Sequence, residues 1–183
     1  MKFKVHDQQS APEASQPLLE QAKKGMGMVP NVLGVLAESP LALEAYMTLD
    51  GMRSKSAFSK EEQVFILLVV SAANTCGYCV AAHTMIARNG GVSEAVVNAL
   101  RAGEPVPDKK LEALRKFVIQ VQEQRGWVGD EALEAFAAAG YSERHVLDVL
   151  VMLAQKTISN FANHMAGTPV DEAFAKFKWQ GGA

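Results

Sequence analysis

The stretch Ser71-Ala72-Ala73-Asn74-Thr75-Cys76-Gly77-Tyr78-Cys79-Val80-Ala81-Ala82-His83-Thr84 gathers both cysteines of the chain and one of its four histidines. On a helix of 3.6 residues per turn, positions 76, 79 and 83 lie within roughly 60° of one another, so one face carries two sulfurs and an imidazole. A free thiol is mostly protonated at neutral pH, and the first turn of a helix favours the thiolate through its unpaired N–H groups and the positive end of its dipole. Thr75 is the expected cap of that helix. His83, one turn beyond Cys79, is placed to take the thiol proton, the usual pairing of a nucleophile with a base. Sulfurs three residues apart on a helix are close enough to join and part again, so a sulfenic acid formed on one can be captured by the other before it is oxidised further. The clustering points to thiol redox chemistry.

Duller readings of the pair stand beside this one. A structural zinc site needs four ligands, and the stretch offers three, with His164 or Glu62 as the nearest fourth. The sulfurs could be two packing cysteines that fall at this spacing by chance, since free cysteine is among the most buried residue types. A passive disulfide is disfavoured in a reducing compartment.

Working outward, the chain has 183 residues, of which 49% are hydrophobic and 21% charged, with a formal net charge of −2. This is enough for one domain with its own core. Signs are intermixed and no basic stripe appears, so nucleic acid is not an expected partner. No signal-like or membrane-length apolar run is present, and the longest, 64–73, fits a buried helix. A cytoplasmic protein without membrane association is expected.

Residues 1–16 are polar, contain Pro12, and read as an extended or loosely docked arm ahead of a helical domain over 17–183. A first helix begins near Pro17 and should fail at Gly25 and Gly27, followed by a short one over 31–37. Ser39-Pro40 and Ser59 with Glu62 are helix starts, the second a capping box. The apolar helix opened by Ser59 should yield near Asn74-Thr75, and the cysteine helix should run to about Asn89. Ser93 caps a helix to about Ala102, and further helices are expected over 108–125, 130–139 and 142–166. No segment alternates with a period of two, so the fold class is all-α, a single-domain multi-helix bundle. A shift of 81 residues sets Glu62 on Glu143, Val70 on Val151, Ala73 on Ala154 and His83 on His164. That echo reads either as a degenerate internal duplication of a helical hairpin, with one half active, or as coincidence among alanine-rich helices.

The stretch from Ser71 to Thr84 resembles the core signature of the alkylhydroperoxidase D family, within the wider carboxymuconolactone decarboxylase superfamily. Similarity to peroxidase-related members extends through Met28-Val29-Pro30-Asn31, Ser39-Pro40 and 156–164. The resemblance implies an all-helical fold assembled as a homo-oligomer, a trimer or hexamer. It also implies a thiol peroxidase that reduces organic hydroperoxides, and hydrogen peroxide, at the expense of a dithiol donor protein or small thiol. Carried over, Cys79 is peroxidatic, Cys76 is resolving and the more accessible sulfur, and His83 is the activating base. No metal or organic cofactor is implied.

One departure stands out. The family pattern places a relay glutamate twelve residues before the first cysteine, where this chain has Val64. Glu62 is the nearest carboxylate and the candidate proton relay, although it also suits a helix cap, and His145 is a second candidate through the internal echo. Tyr78, Asn160, Asn163 and His164 are candidate pocket residues, the last three forming a polar patch at i, i+3 and i+4 on an otherwise apolar helix. The alternatives to a peroxidase are a redox sensor or interaction module that switches without efficient turnover, and a lyase or decarboxylase of the same superfamily. The last needs no sulfur, so the cysteine pair argues against it.

Overall fold

Ser59 opens the helix around which the others pack. Its hydroxyl accepts from the Glu62 amide at 3.1 Å, and the Glu62 carboxylate accepts from the Ser59 amide at 2.9 Å, closing a capping box. The computed structural model describes residues 2–181, and positions 182 and 183 of the expected domain lie outside it. Among the described residues there are nine α-helices: α1 Gln16–Met26, α2 Asn31–Leu36, α3 Pro40–Met52, α4 Lys60–Ala73, α5 Gly77–Asn89, α6 Glu94–Ala102, α7 Lys109–Glu123, α8 Asp130–Ala138 and α9 Glu143–Ala166. Short 3₁₀ turns occupy Glu13–Ser15, Arg53–Lys55 and Glu172–Phe177, and no strand is present among the described residues.

The apolar run makes α4 a core helix. Phe65, Ile66, Leu67 and Leu68 have no more than 1% of their surface exposed, and α5, α7 and α9 pack around them. At one end a stack of Phe117, Phe136 and Tyr141, with ring centroids 4.0 and 4.4 Å apart, joins α7 and α8 to the start of α9. A second buried cluster, with Leu19, Leu33, Leu43, Ala81 and Phe174, contains both cysteines. The sulfurs therefore sit inside the bundle.

The α4–α5 turn places them there. The Thr75 amide donates to Ala72 O and the Cys76 amide to Ser71 O, both at 2.9 Å, the pair of bonds that closes a Schellman end. The position that usually holds glycine is Thr75, at φ 51°. Cys76, rather than the expected Thr75, is the N-cap of α5, with no side-chain cap bond.

The structure corrects some further expectations and adds detail to others. Helix α1 runs through Gly25 and ends only at Gly27, in the left-handed region. The N-terminal arm is docked: the His6 amide donates to Gly34 O at 3.0 Å, and the buried His6 ring meets Glu38 at 2.6 Å. The segment after α9, for which no element was anticipated, forms a 3₁₀ turn against α5. The 81-residue echo does not extend to the fold, since the counterpart of the α4–turn–α5 hairpin falls within and just beyond the one continuous helix α9.

Helix α9 is amphipathic in an unusual sense. Its buried face carries Val149 and Met152 but also Gln155, Lys156, Ser159, Asn160 and Asn163, while Leu147, Leu150, Phe161 and Met165 lie exposed on the opposite face. No helix among the described residues is long and apolar enough to cross a membrane.

Candidate active site

The polar face of α9 lies across the first turns of α5. Asn163 Nδ2 points at both sulfurs, 3.2 Å from Cys79 Sγ and 3.9 Å from Cys76 Sγ. Asn160 is oriented by a chain of amides: Gln122 Nε2 donates to Asn74 Oδ1 at 2.7 Å, and Asn74 Nδ2 donates to Asn160 Oδ1 at 2.9 Å. This leaves Asn160 Nδ2 without a hydrogen-bond partner of its own, adding to the field at Cys79. One turn earlier, Lys156 Nζ lies 2.8 Å from His83 Nε2, with both side chains buried. Two cationic nitrogens cannot share that contact, so the lysine ammonium donates and a neutral imidazole accepts.

The two thiols are unequal. Burial works against ionisation of Cys79, but the Cys76 S–H, the Lys156 charge and the Asn163 and Asn160 amides outweigh it and bring its pKa down to about 5. Cys76 is held protonated, well above the ordinary range, because it donates to the Cys79 sulfur and is itself buried. For His83, burial followed by the nearby Lys156 and Arg53 charges pushes the pKa well below the ordinary imidazole value. The imidazole therefore stays neutral at physiological pH.

A cavity of about 290 Å³ opens onto Cys79, His83 and Lys156. Met26, Met28, Leu33, Met85, Ile86 and Phe174 give it apolar walls, and Tyr46, Asp50 and Arg53 form its polar side. Asp50 Oδ1 is fixed by Arg53 Nη2 at 2.9 Å and Gln155 Nε2 at 2.8 Å. Tyr78 also contributes to the wall, with its hydroxyl donating to Asp171 at 2.6 Å.

The fold thus brings together Cys76, Cys79, His83, Tyr78, Asn160 and Asn163. It places others elsewhere. Glu62, the expected relay, is held by Ser59, by Tyr141 Oη at 2.9 Å and by Lys110 Nζ at 3.0 Å, and does not line the cavity. Val64 is buried in the α4 core. His164 is solvent-exposed and stacks on Phe161, because it lies on the outer face of α9. His145 takes part in the α9 capping box with Ser142. The two fourth ligands considered for zinc, Glu62 and His164, are therefore not beside the sulfurs. Nor is Cys76 the more accessible thiol: it is 1% exposed against 3% for Cys79, and only Cys79 lines the cavity.

Lys156 joins the site beyond the residues expected from the sequence. Its signal is the spacing of Met152, Gln155, Lys156, Ser159, Asn160 and Asn163, a polar stripe at helical intervals of which only the last part is evident from the Asn160–His164 patch.

Residues 40–117 match the Carboxymuconolactone decarboxylase family. The whole fold is similar to that of an uncharacterized peroxidase-related protein from Ralstonia eutropha JMP134, described as an alkylhydroperoxidase AhpD core, with 24% identity, a TM-score of 0.82, and coverage of 94% of this chain and 93% of that one. A peroxidase-related protein from Silicibacter sp. TM1040 is similar over 97% and 95% of the two chains, with 21% identity and a TM-score of 0.79. A cysteine-to-alanine variant of the debrominase Bmp8, solved with 2,3,4-tribromopyrrole, is similar over 97% and 95%, with 17% identity and a TM-score of 0.75. No curated protein matches the chain. The protein is all-helical with an alkylhydroperoxidase D-like fold.

Proposed function

We propose that the protein is a thiol-dependent peroxidase for organic hydroperoxides. The observation that carries this reading is the Cys79 sulfur at the wall of an apolar cavity, hydrogen-bonded by Asn163, with the Cys76 thiol under the same amide. The Cys79 thiolate attacks the terminal peroxide oxygen, the O–O bond breaks, and Cys79 becomes a sulfenic acid as the alkoxide leaves and is protonated to an alcohol. Cys76 then attacks the sulfenic sulfur, and its proton leaves with the hydroxide as water. A dithiol donor, protein or small thiol, reduces the resulting disulfide and restores both thiols.

The apolar walls favour a substrate with a hydrocarbon body over hydrogen peroxide. The exposed Leu147, Leu150, Phe161 and Met165 on α9 support assembly into a homo-oligomer, which would cover that face. Such a cycle belongs in the reducing cytosol.

The test is consumption of cumene hydroperoxide with dithiothreitol by the wild type, Cys79→Ser and Cys76→Ser. The wild type is expected to turn over, Cys79→Ser to be inactive, and Cys76→Ser to complete at most the first step. Wild-type consumption no faster than that of Cys79→Ser would remove the reading. Formation of the disulfide at one equivalent of peroxide without turnover would favour a redox sensor instead.

A further inference from the structure

We propose that Lys156, rather than His83, is the charge that holds Cys79 ionised and the acid that protonates the departing alkoxide. His83 acts as a neutral spacer that fixes the lysine in place. The inference rests on the reading of Cys79 as the nucleophile and deepens it.

The geometry has three parts. Lys156 is 1% exposed and makes its hydrogen bond to a ring nitrogen, and among the described residues no carboxylate forms an ion pair with it. An ammonium removed from water in this way is costly unless an opposite charge lies near. Cys79 lies on the same cavity wall, and its thiolate supplies that charge. The hydrogen bond from Lys156 occupies His83 Nε2 and leaves the other ring nitrogen, Nδ1, buried and without a partner. An imidazole that accepts from an ammonium has no free lone pair with which to take the Cys79 proton. The base role expected for His83 is thus already filled by its lysine neighbour.

The other groups facing Cys79 do not offer an alternative cation at the same place. Cys76 and Tyr78, from the start of α5, carry protons. Tyr46 and Asp50 from α3 are neutral and negative, and Asp50 is paired with Arg53 of the following turn. Asp171 is bonded to the Tyr78 hydroxyl. Arg53 faces the cavity, but its charge is matched by Asp50, whereas Lys156 has no carboxylate partner among the described residues and shares the cavity wall with the Cys79 sulfur.

The protons balance around one lysine. When the Cys79 thiolate takes the terminal oxygen, the alkoxide receives a proton from the Lys156 ammonium and leaves as the alcohol, so Lys156 becomes a neutral amine. Condensation of the Cys76 thiol with the Cys79 sulfenic acid releases water and does not involve the lysine. Reduction by the dithiol donor returns two thiols, and Cys79 gives its proton back to Lys156, restoring the ion pair. The lysine takes the place of the missing relay carboxylate, with the opposite charge.

The experiment is titration of the Cys79 thiolate by its ultraviolet absorbance in the reduced wild type, Lys156→Met, Lys156→Arg and His83→Ala, each checked for folding by circular dichroism. Loss of an opposite charge next to an ionised group moves its pKa by about 1–3 units. Lys156→Met should raise the midpoint by that amount, Lys156→Arg should keep it within about half a unit of wild type, and His83→Ala should leave it acidic. The proposal is overturned if Lys156→Met titrates like wild type, or if His83→Ala moves to the free-thiol range. The His83→Ala arm stands alone should Lys156→Met fail to fold. No peroxide enters the titration, so an intact ion pair in a protein without turnover would defeat the peroxidase reading and the acid role of Lys156 with it, and leave the charge pairing of Lys156 and Cys79 standing. Where turnover is measurable, the acidic limb of the rate profile should move with the Lys156→Met midpoint.

Discussion

Asn163 reaches both sulfurs with one amide, 3.2 Å from Cys79 and 3.9 Å from Cys76, so a residue of α9 spans the dithiol formed on α5. A hydrogen bond to a charged group contributes about 1.5–3 kcal/mol, roughly one to two pH units of thiol acidity. Asn163→Ala should raise the Cys79 midpoint by about that amount, and Asn163→Asp should raise it further by setting a carboxylate beside the thiolate. Alkylation rates measured between pH 5 and pH 9 will show whether either variant retains wild-type reactivity, which would rule out this role for the amide.

Stability should follow the thiols. Cys79 has a folded pKa depressed to about 5 from an ordinary 9.0, so from pH 5 to 9 the unfolded chain holds a proton that the native state does not. The stabilisation is complete above about pH 9 and is lost as pH falls through 5. His83, whose folded pKa is lowered, adds a loss of stability below about pH 6.5. Cys76, whose folded pKa is raised, acts in the other direction and lowers stability above about pH 9. The melting temperature of the reduced protein should therefore climb from pH 5 towards 9 and then decline. A Cys79→Ser melting curve with the same slope over that window would contradict the assignment.

Thr75 occupies the left-handed region at the α4–α5 turn with its side chain exposed. That conformation costs an L-residue about 1–2 kcal/mol, partly offset in a glycine variant by greater freedom of the unfolded chain. Thr75→Gly should gain about 0.5–1 kcal/mol, equivalent to about 1–4 °C in melting temperature for a domain of this size. A lower melting temperature would show that the hydroxyl makes a contribution unrelated to backbone strain.

Glu62 is a structural carboxylate. Replacing it with glutamine leaves the cap partly formed but removes the charge that Lys110 and the Tyr141 hydroxyl meet. Glu62→Gln should cost about 1 kcal/mol in a denaturant melt while the Cys79 titration stays at its wild-type position. An altered thiol midpoint would restore Glu62 as a relay.

The N-terminal arm offers a mechanical test. A Cβ at Gly34 would lie 2.6 Å from His6 O and 2.8 Å from a Val5 methyl group, and the first of these is backbone. Gly34→Ala should lift the arm off α2 and make residues before Glu13 susceptible to limited proteolysis, with the helical signal unchanged. Wild-type resistance to protease would mean that the arm can shift and remain bound.

The helices were readable wherever a local signal sets their ends. Ser39, Ser59 and Ser93 cap as their sequence context indicates, and Gly103 closes α6. The all-helical architecture and the approach of Cys79 and His83 follow from spacing alone. The rest depends on contacts distant in sequence. Which face of α9 turns inward cannot be settled by hydrophobicity, because the buried face holds an ammonium and four other polar side chains while leucines face out. For the same reason the sequence pattern points His164 at the pocket and gives no sign of the place of Lys156 in it. Glu62 has a carboxylate at a plausible position, and only the side chains of α7 and Tyr141 reveal that it is engaged elsewhere.

The inward polar face of α9 has a consequence for comparison between proteins. The acidity of the Cys79 thiol rests on the Cys76 S–H within the motif and, after it, on Lys156, Asn163 and Asn160, some eighty residues downstream. Another sequence can keep every residue from Ser71 to Thr84 and still hold a less acidic thiol, if an aliphatic side chain replaces the lysine. The acidity of this thiol is thus a property of two distant segments read together.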